Sequence, residues 1–436
     1  MLDSVKGTFA MPDLKRKILF TLAALFIYRL GSHVPTPGVN TAALAELFKQ
    51  GSATGTVLGF LDLFAGGALS RFSVFALGVT PYINASIVMQ LLAVIIPTLE
   101  TMQKEGLEGR QKIAQWTRYG GIGFAFLQAL GMTSWLRSLG IYSGSIWGLI
   151  LVSVTLTAGA VAVMWLGEIM TDFGIGNGIS LLIFAGIVVR IPEAFIRTTQ
   201  MLKLGEINPV ALLIAIALMI LVVAGCVMLQ EGQRRLPVQY AKRMMGNKMY
   251  GGQSSFIPLK VDTANVIPII FASSILIFPY TIAGFFKGPI SQAIQKYLAP
   301  DKPIYLILFV LFIIFFSFFY VEIVFKPEEI ADNMKKNGGF ILGIRPGKPT
   351  QDYIQRVMDR LTLGGSIALA IVAVIPNIMS GVMNINSFAF GGTAVIIVVG
   401  VALETVHQIE GQLLMHHYEG ILKHNKGGKQ GSLLRL

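Results

Sequence analysis

Apolar residues occur along this chain in long runs that are separated by polar connections. A membrane-spanning helix needs about 20 predominantly apolar residues, and ten runs approach or reach that length. They are residues 17–31, 73–96, 117–136, 146–169, 179–196, 209–229, 264–286, 303–325, 361–380 and 391–409. The pattern predicts an all-α polytopic membrane protein with ten transmembrane helices.

One run is too long for a single span. Residues 55–97 are apolar over about two span lengths, and Asp62, Gly66, Gly67 and Arg71 interrupt them. Polar segments at membrane depth are tolerated only where protein or a water-filled cavity surrounds them. We therefore expect a short re-entrant helix at about residues 56–72, followed by a true span. The alternative is an amphipathic helix that lies on the membrane surface.

Composition supports a membrane protein. Hydrophobic residues make up 54% of the 436 residues and charged residues 13%, about half the charged fraction of a soluble domain. Cys226 is the chain's only cysteine, which excludes an internal disulfide and a cysteine metal cluster. The formal charge of +12 is informative mainly through its distribution.

Lys and Arg concentrate in alternate connections, and this bias predicts that both termini lie in the cytoplasm. The exception is the stretch 190–208, where Arg190, Arg197 and Lys203 fall at or near the outer side. Ten spans divide into an N-terminal half at residues 1–205 and a C-terminal half at 206–410, followed by a tail at 411–436. Because each half has an odd number of spans, the two are expected to form an inverted pair around a central pathway.

Two predicted cytoplasmic loops, 230–263 and 326–360, are far longer than the usual connection, and such length is normally functional. Each combines glycine pairs with short apolar runs, such as residues 257–259 and 341–344. We expect two protruding, hairpin-like, basic structures that suit an anionic partner such as ribosomal RNA. The alternative is that their charges only enforce topology.

Five sequence motifs together resemble the SecY family, the channel subunit of the bacterial protein-export translocon. They are GVTPYINASI at 78–87, GIGNGIS at 174–180, VIPIIFASS at 266–274, GIRPG at 343–347 and FGGT at 390–393. The resemblance covers nearly the whole chain in order. It implies two inverted five-helix halves, a re-entrant plug, a constricted pore ring and a lateral gate that opens to lipid.

The resemblance implies a ring of aliphatic residues at the pore: Ile83, Ile87, Ile183, Ile187, Ile267, Ile270 and Ile397. Such a waist excludes ions when empty and yields to a passing chain. Isoleucines at helical spacing are also typical of core or lipid-facing positions. The plug would contain Phe60, Asp62, Phe64, Gly66, Gly67 and Arg71. Its glycines weaken a helix by about 1 kcal/mol each, which favours a segment that moves, although glycines also allow close helix packing.

The resemblance also implies a lateral gate and a docking surface. Candidate gate contacts are Asn84, Ser86, Asn265, Ser273 and Ser274, although serines equally often bond their own helix backbone. Candidate docking residues are Lys242, Arg243, Lys248 and Arg345. The implied partners are the small membrane subunits SecE and SecG, the SecA motor ATPase, the ribosome, signal sequences and nascent polypeptides, and the lipid bilayer of the bacterial inner membrane.

Neither an enzyme nor a cofactor is indicated. The glycines at 174, 176 and 178 follow an apolar span instead of a strand, so they do not form a nucleotide-binding loop. His416 and His417 have no further metal ligands nearby in sequence. The alternative function is a secondary transporter, which also uses inverted repeats. Transporters carry ionisable groups at the membrane midplane, whereas here such groups lie mostly near span ends.

Overall fold

A computed structural model of the chain describes residues 11–39, 44, 62, 65–142, 144–205, 208–240, 243–245, 248–250, 254–285, 288–299, 302–383 and 392–430. The chain divides into two compact units, Met1–Glu193 with Val401–Leu436, and Ala194–Gly400. The domain limits expected from the sequence, at residues 205 and 410, stay predictions. The predicted plug residues Phe60 and Phe64 and the predicted docking residue Lys242 lie outside the described residues.

The first part of the chain is helical. Its helices are α1 (Pro12–Gly31), α2 (Thr80–Ile95), α3 (Pro97–Lys104), α4 (Leu107–Ser138), α5 (Ile146–Phe173), α6 (Gly178–Val188) and α7 (Ile191–Lys203). In the first unit α4 packs on α2 and α5, while α6 packs on α5 and α1. Small residues such as Ala125, Ala129 and Gly159 are buried on α4 and α5, as expected where helices approach closely in a membrane.

The rest of the chain adds helices and five strands. They are α8 (Pro209–Glu231), β1 (Gln233–Tyr240), β2 (Arg243–Met245), β3 (Lys248–Tyr250), β4 (Ser254–Lys260), α9 (Ile267–Phe285), α10 (Pro289–Tyr297), α11 (Pro303–Val324), α12 (Pro327–Lys336), β5 (Gly339–Phe340), α13 (Lys348–Met383) and α14 (Gly392–Gln430). In the second unit α13 packs on α8, α11 and α12, and α9 packs on α11.

Each of the ten predicted spans contains a helix. Six helical stretches of the described chain are long and apolar enough to cross a membrane, and the pair α2 and α3, bent by 105° between them, could supply a seventh. Helix α9 is apolar over Ile267–Ala283 but shorter. The structure therefore shows a mostly helical protein with several membrane-length helices, and the full count of ten spans stays a proposal.

The stretch before α2 corrects two sequence predictions. The second span was expected to begin at residue 73, but α2 begins at Thr80. The re-entrant helix was expected to extend to residue 72, but residues 65–79 form turns and an isolated bridge, and of this segment only Asp62 is helical in the described chain. The reason is the backbone conformation: Gly66, Gly67 and Gly78 have φ of 64°, 83° and 55°, which a right-handed helix does not allow.

The two long loops were expected to form two protruding, hairpin-like structures. The first loop is hairpin-like, since β1 and β4 are antiparallel, but the expectation of two such structures was wrong. Strand β1 pairs antiparallel with β4 of its own loop and also with β5 of the other loop, where Gln239 lies opposite Phe340. One apolar core joins both loops to the start of α13 and includes Leu236, Leu259 and Ile354. The predicted extended run 257–259 lies in β4, whereas 341–344 lies in a turn after β5. The two loops thus form one folded lobe.

Asp262 lies where this lobe meets α9, between β4 and the first turn of that helix. Its carboxylate accepts hydrogen bonds from the backbone N–H groups of Ala264 and Asn265. The side chain is buried, and Oδ2 has no hydrogen-bond partner among the described residues. Burial disfavours the ionised form and raises the pKa of Asp262 from its usual 3.8 to about 7.

We expect the variant Asp262→Asn to be more stable than the parent protein at alkaline pH. A carboxyl whose pKa is raised on folding binds a proton in the folded state between about pH 4 and pH 7, so stability falls as pH rises through that window. The full effect corresponds to about 4 kcal/mol. Thermal unfolding in detergent should show a gap between variant and parent that widens up to about pH 7 and then stays constant.

The matched control is Asp332→Asn, which changes an exposed aspartate of α12 in the same lobe. It should leave the unfolding midpoint close to that of the parent. A gap for Asp262→Asn that is independent of pH would contradict a raised pKa at this position.

Candidate functional site

The turns before α2 are organised by Asp62. Its Oδ1 accepts hydrogen bonds from the backbone N–H groups of Leu69 and Ser70, both at 2.9 Å, and its backbone carbonyl accepts one from Gly67 at 3.1 Å. The Asp62 side chain is completely buried. We call residue 62 together with residues 65–79 the folded-back segment, because the buried Asp62 carboxylate binds backbone N–H groups further along the same segment.

Helices α1 and α6 hold the folded-back segment from two sides. On α1, the Tyr28 hydroxyl donates to the Ala65 carbonyl at 3.3 Å, and the Arg29 guanidinium donates to the Gly66 carbonyl at 2.9 Å. On α6, Gly186 lies so close that a Cβ placed on Gly66 would come within 2.8 Å of its Cα. Gly66 and Gly186 are therefore in contact, and a side chain on Gly66 would collide with the backbone of α6.

The chain after α1 and helix α5 hold the other end of the folded-back segment. Thr36 donates its backbone N–H to the carbonyl of Phe72 at 3.0 Å, and Val74 donates to Val34 at 2.9 Å. A Cβ on Gly159 of α5 would lie 1.9 Å from the Val74 carbonyl oxygen. Contact this close requires a glycine at position 159.

Such a segment places constraints on its surroundings. Non-helical backbone at membrane depth is stable only where protein covers it or where it lines a water-filled cavity. Ala65, Ala68, Leu69 and Phe72 are at most 2% exposed, so protein covers this backbone. Residues 65–79 do not form a spanning helix, but they pack against the helices around them.

The predicted pore isoleucines of the first unit lie on two helices. Ile83 and Ile87 are buried on α2, and Ile183 and Ile187 are buried on α6. Ile187 directly follows Gly186, the residue against which the folded-back segment packs. In the second unit Ile270 on α9 and Ile397 on α14 are buried, while Ile267 is half-buried. Burial by itself fits both a closed ring and ordinary core packing.

The predicted gate residues are polar groups in or beside apolar helices. Asn84 is buried on α2, and the Ser86 hydroxyl accepts from the Gln90 amide at 3.2 Å. Ser273 donates to the Ile270 carbonyl of its own helix at 2.9 Å, which is the alternative that the sequence left open for serines. Ser274 is buried on α9, and Asn265 precedes that helix with φ of 52°.

Arg345 lies in the turn between β5 and α13, where its side chain is exposed. The turn is fixed by the Thr350 hydroxyl, which donates to the Arg345 carbonyl at 2.8 Å, and by Gly343 and Gly347 at positive φ. The predicted docking residues Arg243 and Lys248 lie in β2 and β3, which form an antiparallel hairpin in the first long loop.

Sequence reasoning missed the partners of the charged residues in the helices. Arg190 lies 3.3 Å from Asp62, and Arg118 lies 2.7 Å from Glu168. The only signal in the sequence was that Arg190 disagrees with the charge bias of the other connections. No group of three or more metal-binding side chains occurs among the described residues. Arg118 and Glu168, which lie on two apolar helices, thus form an ion pair with each other.

The fold matches solved structures of protein-conducting channels. One is titled "The plug domain of the SecY protein stablizes the closed state of the translocation channel and maintains a membrane seal". The match has a TM-score of 0.65 at 20% identity and covers 97% of this chain and 95% of that one. Another, "Sec61 in the Canine ribosome-channel complex from the endoplasmic reticulum", gives a TM-score of 0.60 at 19% identity, with coverages of 97% and 95%. The chain therefore has the fold of these structures, that of a mostly helical membrane protein.

The family follows from sequence. The SecY family model matches residues 73–406. The chain is 44% identical over 446 aligned positions to the protein translocase subunit SecY of Mycobacterium bovis, and the alignment covers 97% of this chain and 100% of that one. The chain belongs to the SecY family. It is a channel subunit, and it is neither an enzyme nor a secondary transporter.

Proposed function

We propose that this protein forms the pore through which a protein translocase moves unfolded polypeptides across the bacterial cytoplasmic membrane and releases membrane segments sideways into lipid. The observation that carries the proposal is the folded-back segment: buried, irregular backbone that the hydrogen bonds of Tyr28 and Arg29 hold between helices. The M. bovis relative is named a translocase subunit. The test is whether a polypeptide in transit contacts the predicted pore isoleucines.

The proposed architecture has ten transmembrane helices in two inverted five-helix halves. It is supported by a helix in each predicted span and by Lys and Arg in alternate connections, which puts both termini in the cytoplasm. The protein is accordingly proposed to be a multi-pass protein of the inner membrane. Pairing of Arg190 with Asp62 accounts for one of the three basic residues that oppose this orientation.

The seven isoleucines are proposed to form the waist of the pore. A ring of aliphatic side chains dewets when empty and closes around almost any passing side chain, because it requires no particular hydrogen bond. The movable plug is proposed to lie at about residues 56–72 and so to include the first part of the folded-back segment. It is supported by the contact of Gly66 with Gly186, next to Ile187 on α6.

The polar residues of α2 and of the start of α9 are proposed to form the lateral gate. Contacts between polar side chains in membrane proteins contribute about 0.6 kcal/mol each, so an interface built from a few of them can be parted by an arriving hydrophobic signal sequence. Asn84 is the strongest candidate because it is a buried amide in an apolar helix.

The proposed partners are the ribosome, the SecA motor, the SecE and SecG subunits, signal sequences and nascent chains. Support for the ribosome comes from a solved relative described as part of a ribosome-channel complex and from the basic lobe on the predicted cytoplasmic side. Phosphate groups dominate the affinity of basic surfaces for RNA. The exposed Arg345 in its fixed turn is proposed to be a common contact for the motor and the ribosome.

Reversing the charge of Arg345 tests this docking role. We expect Arg345→Glu to lower motor-driven export in inverted membrane vesicles about 10-fold or more, because a lost contact between close charge pairs costs a few kcal/mol. Insertion of membrane segments should continue. The control Arg137→Glu makes the same charge reversal at an exposed residue on the predicted outer side and should export normally. Normal export by Arg345→Glu would remove the docking assignment.

A further inference from the structure

Arg190 is placed where it can act on the folded-back segment. It follows the last turn of α6, and its guanidinium Nη1 lies 3.3 Å from Asp62 Oδ2. The Asp62 side chain is 0% exposed and that of Arg190 is 24% exposed. Apart from this ion pair, neither of these two atoms has a hydrogen-bond partner in the described part of the chain. The pair is therefore the main polar contact of both atoms.

The two carboxylate oxygens of Asp62 have different roles. Oδ1 accepts the backbone N–H groups of Leu69 and Ser70 and so fixes the turns of the folded-back segment. Oδ2 faces Arg190. A displacement of the Arg190 guanidinium therefore acts on the turns through the carboxylate of Asp62.

We propose that Arg190 is a positioning residue that latches the folded-back segment, through Asp62, to the end of the helix that carries Ile183 and Ile187. Buried ion pairs often contribute little net stability, but loss of one partner leaves a costly uncompensated charge. The position in which the folded-back segment contacts α6 is thus specified by a charge pair. A shift of α6 relative to Asp62 would separate that pair and release the segment. Among the described residues, helix α1 adds two hydrogen bonds to backbone carbonyls of the segment, from Tyr28 and Arg29.

The position of the segment can be followed with a single thiol. Ala68 is completely buried in the folded-back segment, and the chain's only cysteine, Cys226, is also buried. In the full-length protein in lipid vesicles, with Cys226→Ala to leave a single thiol, the variant Ala68→Cys should react slowly with a water-soluble maleimide. Adding Asp62→Asn or Arg190→Gln should raise its reaction rate about 10-fold or more, because each leaves one buried charge without its partner.

The double variant distinguishes a latch from general loosening. Asp62→Asn with Arg190→Gln removes both charges and keeps an oxygen at position 62 for the N–H groups of Leu69 and Ser70. Its rate should return to within about threefold of the Ala68→Cys parent, because coupled residues are not additive. Arg190→Lys should also protect the thiol. Arg137→Gln, which removes an exposed charge of the same unit, should leave the rate unchanged.

Equal rates in all variants would overturn the latch, and so would single effects that simply add in the double variant. The latch rests on the proposed channel function for its purpose, but the thiol measurement needs no transport. If the thiol rates follow the latch and no variant conducts ions, the latch stands and the channel proposal fails. If the protein conducts ions once the plug is removed, but the thiol reacts at the same rate in all variants, the channel proposal stands and the latch fails.

Discussion

Replacing residues 60–72 by a short flexible linker is expected to convert a sealed protein into one that leaks ions in planar bilayers. The wild-type segment contains completely or nearly completely buried residues such as Ala68 and Leu69, and its Gly66 contacts Gly186 of α6. Without them, only the proposed ring of isoleucines would separate the two aqueous sides. A dewetted constriction alone is an imperfect barrier when its side chains fluctuate, so frequent current steps should appear.

The measurement compares single-channel currents of equal amounts of purified protein. Arg137→Gln is a suitable control because it removes an exposed charge of the same unit and leaves the folded-back segment unchanged. It should remain as silent as the parent. Unfolding midpoints would show that the linker variant is folded. A folded linker variant with unchanged conductance would remove the plug assignment.

The helices could be predicted from the sequence because a membrane-spanning helix requires one simple property, apolar length. Helices lie in all ten predicted runs, and the ends of α5 and α11 fall close to the predicted limits. The start of α2 could not be predicted. The apolar run continues through residues 73–79, and what keeps these residues out of the helix is the positive φ of Gly78 together with contacts distant in sequence, such as the bridge between Pro35 and Ser73.

Long-range partners were beyond the reach of local patterns. The charges of Asp62 and Arg190 were visible, but nothing in their neighbourhoods indicated that they meet. Pairing of Gln239 with Phe340 joins loops that three helices separate along the chain. The exposed turn that contains Arg345 has a local cause, because Pro346 and Gly347 are residues that favour turns.

The account depends most on the claim that polypeptides pass between the predicted ring residues. Ile187 is the best position to test, because it is completely buried on α6 next to Gly186, which contacts the folded-back segment. A cysteine there, in a chain with Cys226→Ala, should form a disulfide with a single cysteine in a polypeptide whose translocation has been arrested. The difference in disulfide yield between positions that contact the polypeptide and positions that do not should be large, because two sulfur atoms react only within bonding distance.

The matched control is Leu221→Cys, at a residue of α8 that is 59% exposed and is expected to face lipid. The decisive measurement is the yield of crosslinked product at the two positions after mild oxidation. The account predicts abundant product at position 187, only when the polypeptide is arrested inside, and none at position 221. Absence of product at every one of the seven isoleucine positions, with an arrested chain present, would contradict a polypeptide path through this ring.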